Sequence, residues 1–146
     1  MNNAINVALF YLTALGAIVL LDVLWLKYSV GEWLEMTYWP YWRNLNWAPK
    51  WAYAVLFYLI YSIWIAFGII WYRLQDRRRF KALLYSAFVG FVLHTLYQLI
   101  YVSLNPFWRW DFVGYDILWG AAEGWLVGSA AWKTGVWLGL FTPAAR

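Results

Sequence analysis

"GYDILWGAAEGW", residues 114–125, sets Asp116 and Glu123 seven positions apart, with glycines and tryptophans between them. The run that contains it, Phe112 to Trp132, is otherwise apolar and close to the roughly 20 residues a helix needs to cross the hydrocarbon core. Reading it as a spanning segment decides the fold. It becomes the last of four such runs, and it carries two carboxylates into the membrane.

The composition agrees. Of 146 residues, 65% are hydrophobic and 12% charged, against a charged share of about 25% in soluble domains. The other runs are Ile5–Leu26, Trp51–Tyr72 and Phe80–Leu104. The expected fold is an all-α, single-domain membrane bundle of four transmembrane helices over 1–146, with no internal repeat and no linker. The first run has no positive leader and no small-residue cleavage site after it, so it reads as a retained helix and not as a signal peptide. The 14 Trp, 12 Tyr and 9 Phe exceed what interfacial anchoring of four helices needs. The absence of cysteine excludes disulfides, thiolate metal sites and cysteine nucleophiles. A single histidine excludes a multi-histidine metal site within one chain, and no metal ligand set is assigned.

Charge placement predicts orientation. Arg73, Arg77, Arg78, Arg79, Lys81, Lys133 and Arg146 fall on one side, and Lys27, Arg43, Lys50 and Arg109 on the other. The positive-inside rule then puts both termini and the loop between the second and third helices in the cytoplasm. The net charge of +4 is therefore topology and anionic-lipid contact, not nucleic-acid binding. The outer segment "VGEWLEMTYWPYWRNLNWAPKW", 30–51, is rich in Trp and Tyr and is expected to lie in the interface plane. The tail "KTGVWLGLF", 133–141, is too short to span again and is expected on the cytoplasmic interface.

Depth at 1.5 Å per residue brings the polar residues of three helices into one half of the membrane. Asp22, Gln98 and Asp116 are expected to meet there, with His94 and Glu123 one layer deeper. His94, Tyr97, Gln98 and Tyr101 follow i, i+3, i+4, i+7 and form one stripe. Asp116, Gly120 and Glu123 share a face of the fourth helix. Gly120, Gly124 and Gly128 extend it as two GxxxG steps, which admit a neighbouring backbone. A charge at the membrane centre costs about 2.5–3.5 kcal/mol or more, so these acids need partners or protons. The candidate ligand-binding set is Asp22, His94, Tyr97, Gln98, Tyr101, Asp116, Trp119 and Glu123. Glu123, Asp116 and His94 are the catalytic candidates.

Two readings of this set stand side by side, a functional cavity and a structural network. His94 reads first as a hydrogen-bonded core histidine, ahead of a haem or chlorophyll-type ligand. The row Phe57, Tyr61, Trp64 and Trp71 on the second helix reads as packing or lipid contact, ahead of a partner-binding face.

"YLTAL" at 11–15 with Asp22 and Trp25, "NWAPKWAYAVLFYLIY" at 46–61 and "DILWG" at 116–120 resemble a bacterial family of small four-helix membrane proteins catalogued as domain of unknown function 2177. The likeness runs from about residue 7 to 130. It implies the four-helix fold and supplies no activity. The family's third helix carries a motif like Tyr-Asp-Leu-Thr-Asn, whereas this chain has Tyr97, Gln98, Leu99, Ile100 and Tyr101. If the family used three acids to handle protons or cations, losing one here favours a binding or structural role.

Three functions are open, in this order. The first is a non-catalytic accessory subunit of a larger membrane complex or homo-oligomer, or a binder of a lipid, quinone or pigment. The second is a small enzyme acting on a lipid or isoprenoid by acid–base chemistry. The third is proton or ion transport.

Overall fold

A computed structural model describes residues 3–30, 51–74, 79–104 and 108–141. Their regular secondary structure is all helical. Helix α1 is Asn3–Trp25, continued by a π-helical turn at Leu26–Val30; α2 is Trp51–Leu74, α3 is Arg79–Leu104 and α4 is Trp110–Trp137. The interfacial segment expected at 30–51 lies, but for its ends, outside the described residues, as do Arg77 and Arg78 of the basic loop.

The first three helices are each long and apolar enough to cross a membrane. The 28 residues of α4 span about 42 Å at 1.5 Å each, but with Asp111, Asp116, Glu123 and Lys133 along it α4 is not among the candidate spans. Asp111 opens α4, paired with Arg109, and accepts a hydrogen bond from the Phe112 backbone N–H at 3.0 Å. These two interactions hold its exposed carboxyl below the usual carboxylate range, the Arg109 side chain contributing most.

Each helix packs on its neighbours in sequence, and α4 closes the ring against α1. This is the up-down-up-down arrangement that short loops favour. The most extensive seam is α3 against α4. There Gly90 lies on the Gly120 carbonyl and Gly124 on the Ser86 carbonyl, so close that a Cβ at either glycine would overlap backbone. The glycine row thus faces α3, as its spacing predicts. On α1 the buried residues are Asn6, Phe10, Ala14, Ile18 and Asp22, every fourth position. Leu12, Leu20, Ile63, Leu84, Leu96 and Leu118 point outward and are more than half exposed. Large aliphatics outside, with glycine, serine and acid inside, are what lipid as solvent selects.

The fourth helix runs five residues past its expected end. Lys133–Trp137 continue α4, and the chain then turns back at Gly139, whose φ of 69° suits glycine. The Leu140 N–H donates to the Gly135 carbonyl at 2.9 Å and the Gly139 N–H to that of Val136 at 3.1 Å, a Schellman turn. Phe141 is thereby buried edge-on against Phe10, 5.7 Å between ring centres. Asn6 Nδ2 donates to the Leu138 carbonyl at 3.1 Å and ties α1 to the turn. The length rule, applied to the tail as a separate segment, overlooked a helix that simply runs on. Of the other ends, Trp51 and Leu104 stay where expected, while α1, α2, α3 and α4 each extend by one to four residues at another end, α1 with its π-helical turn, because apolar runs mark the hydrocarbon core and the helical backbone continues past it.

Candidate functional site

The polar residues converge at the end of the bundle where α1 finishes and α4 begins. Asp116 is their centre. Its Oδ2 accepts from Gln98 Nε2 at 2.7 Å and from His94 Nδ1 at 3.1 Å, and its Oδ1 from Trp25 Nε1 at 3.3 Å. Gln98 Oε1 accepts from Trp108 Nε1 at 2.6 Å. A chain of directed bonds therefore runs Trp108, Gln98, Asp116, His94. Gln98 is fully buried, while Asp116 and His94 are nearly so. An ionised carboxylate has only acceptors, and Asp116 receives three donors from α1 and α3.

Gln98 serves two neighbours at once. Its amide donates to Asp116 with one atom and accepts from Trp108 with the other. An aspartate there could accept the indole but would face Asp116 as a like charge.

One layer deeper lie Asp22, His94 and Glu123. Ligand-capable atoms of the three lie within 4.8 Å of one another. His94 Nε2 is 3.3 Å from Glu123 Oε2. Asp22 Oδ1 accepts from Trp119 Nε1 at 3.4 Å. Trp25 and Trp119 stack face to face, 4.6 Å between ring centres, and each gives its N–H to a different acid. Gly120 makes room for the His94 ring, and the Tyr61 hydroxyl reaches the Gly120 carbonyl at 3.4 Å.

Asp116, Gln98, His94 and Glu123 therefore meet as their spacing predicts. Asp22 is corrected by one layer: it is level with Trp119 and joins His94 and Glu123, while Trp25 reaches Asp116. Antiparallel pairing of α1 and α4 sets this level, and residue counting along one helix cannot see it. Tyr97 and Tyr101 pack on each other at 4.5 Å, with Tyr101 against Trp108 at 4.9 Å. On α2 the aromatic row divides. Tyr61 is in the core, while Trp64 and Trp71 are half exposed to the lipid side.

Sequence reasoning missed Trp108 as a partner. The available signal was that a buried indole needs an acceptor, and Gln98 is one. It also counted metal ligands by histidine and cysteine, and so did not weigh one imidazole with two carboxylates from other helices.

A second feature lies elsewhere. A surface groove of about 680 Å³ runs along α3, lined by Lys81, Leu84, Tyr85, Ala87, Phe88 and Phe91, with Tyr72 of α2 and Ala121 of α4. The Tyr85 ring lies across Gly68, which leaves the trough open beside it.

A helical bundle with an aliphatic exterior and a closed polar interior is a membrane protein. This chain belongs to the family described as "Predicted membrane protein (DUF2177)", which matches residues 7–141. No curated protein and no solved structure matches it.

Proposed function

We propose that the protein is a non-catalytic component of a bacterial inner membrane that holds an anionic lipid along α3, with both termini cytoplasmic. The observation that carries this reading is the apolar groove with Lys81 at one end. Its walls suit an acyl chain. The exposed Lys81 suits a negative headgroup, a basic residue near the surface contributing about 1 kcal/mol. The Lys and Arg bias places this end on the cytoplasmic side.

Acid–base catalysis by Asp116, Glu123 and His94 on a lipid or isoprenoid has less support. The groove lining includes neither His94 nor Gln98, and Asp116 has three fixed donors.

Lipid retention tests the reading. Native mass spectrometry of the detergent-purified chain should find an anionic phospholipid bound. The double variant Lys81→Glu with Phe88→Ala should weaken its retention about tenfold or more, and Leu96→Ala on another face should not. Unchanged retention in the double variant would defeat the proposal. A quinone or pigment in its place, or conversion of the bound lipid on incubation, would replace it with the corresponding alternative. Cysteines at Arg77 and Arg109 should be labelled by an impermeant reagent from opposite sides, Arg77→Cys only from the cytoplasm.

A further inference from the structure

We infer that Asp22, His94 and Glu123 form a binding site for one divalent first-row metal ion of the Mn²⁺, Fe²⁺ or Zn²⁺ class. This is independent of lipid binding, since the two sites share no residue.

Three helices each supply one ligand. Their ligand-capable atoms lie within 4.8 Å of one another, and all three residues are buried. Metal–ligand bonds of about 2.0–2.2 Å put ligand atoms about 3–4.4 Å apart, so small side-chain rotations complete the set.

The second observation is what these atoms lack. Glu123 is fully buried, and neither of its carboxylate oxygens accepts a hydrogen bond from a described residue; His94 Nε2 makes none either. Yet Nε2 faces Glu123 Oε2 at 3.3 Å. On the other side of the ring, Nδ1 meets the Asp116 carboxylate, an acceptor, so Nδ1 carries the hydrogen. In a neutral imidazole, Nε2 then presents its lone pair. Lone pairs from three groups converge on one buried point, and a cation between them would offset their mutual repulsion. A proton on Nε2 serves one contact, and that contact misses hydrogen-bond geometry. It leaves Glu123 Oε1 unserved. A divalent ion takes all three ligands at once.

The surroundings fit. A ligating histidine gives its other N–H to a carboxylate, and Asp116 is that carboxylate, itself held by Gln98 and Trp25. Asp22 is oriented by Trp119. One imidazole with two carboxylates suits Mn²⁺, Fe²⁺ and Zn²⁺. It lacks the thiolates that select Cu(I), and its nitrogen disfavours Ca²⁺ and Mg²⁺.

The test uses the full chain in detergent, without a histidine tag, stripped by chelator and dialysed against Mn²⁺ or Zn²⁺. We expect one ion per chain by elemental analysis and a higher thermal midpoint with metal than with chelator. Both effects should vanish in Glu123→Gln. Asp116→Asn should weaken binding about 10- to 100-fold, and Asp111→Asn should not change it. Should Glu123→Gln fail to fold, the wild type decides by itself. The chain has one histidine, so bound Mn²⁺ must show a nitrogen hyperfine coupling. No stoichiometric ion, an ion without nitrogen coupling, or undiminished binding by folded Glu123→Gln would each overturn the inference.

Discussion

Around Phe10 and Phe141 the bundle is held by ring edges and a backbone turn; around Asp116 and Gln98 it is held by a chain of directed hydrogen bonds. The same four helices build both ends, and one glycine seam runs between them. The difference reflects the solvent. In lipid an apolar side chain gains little by leaving its surroundings, because the tails are as apolar as leucine. Packing at the Phe141 end therefore chooses shape, and neighbouring registers remain close in energy. A buried carboxylate has no such freedom. Sliding α4 by one residue against α3 would withdraw Asp116 from both Gln98 and His94 and leave a charge unpaired, at a cost of several kcal/mol. The polar end sets register, and the apolar end fills in behind it.

The largest test breaks the seam that both ends share. A side chain at Gly124 must enter the backbone of α3 at Ser86, so Gly124→Val should cost about 3 kcal/mol or more. Reversible unfolding in mixed micelles measures this, and both ends should lose hydrogen-exchange protection together. Survival of one end intact would mean that the seam does not couple them.

Next come the two acids of α4. Asp116→Asn must turn an NH₂ toward one of the donors Gln98, His94 or Trp25, and should cost about 2 kcal/mol. Glu123→Gln, compared in chelator, loses no existing hydrogen bond, and its stability should change by roughly 0.5 kcal/mol or less. The reverse order would show that the charge which sets register is that of Glu123.

The smallest effect sharpens the comparison at the other end. Gly139→Ala forces a Cβ into the left-handed region and should cost about 1 kcal/mol. Exchange should quicken over residues 135–141 and leave Asp116 and its neighbours unchanged. Loss of protection at Gln98 would mean that the tail turn, too, helps set the register.

Much of this was legible before any coordinates. Runs of about 20 apolar residues declare helices that cross lipid, because an unpaired backbone cannot stay there. Glycines four apart on α4 announce the close seam. Acids inside such runs announce an interior they must share, and Asp116, Gln98 and His94 share it. The tertiary structure decided the rest. Trp108 becomes the partner of Gln98 only when the start of α4 is set against the end of α3. Asp22 sits level with Trp119 because α1 and α4 run antiparallel in one register, which depth counted along a single helix does not contain. Phe141 is buried because a turn at Gly139 carries it back to Phe10. The three residues that face one another without a hydrogen between them come from three different helices. Periodicity assigns each residue to a face of its own helix; only packing sets the rotation and height of one helix against the next.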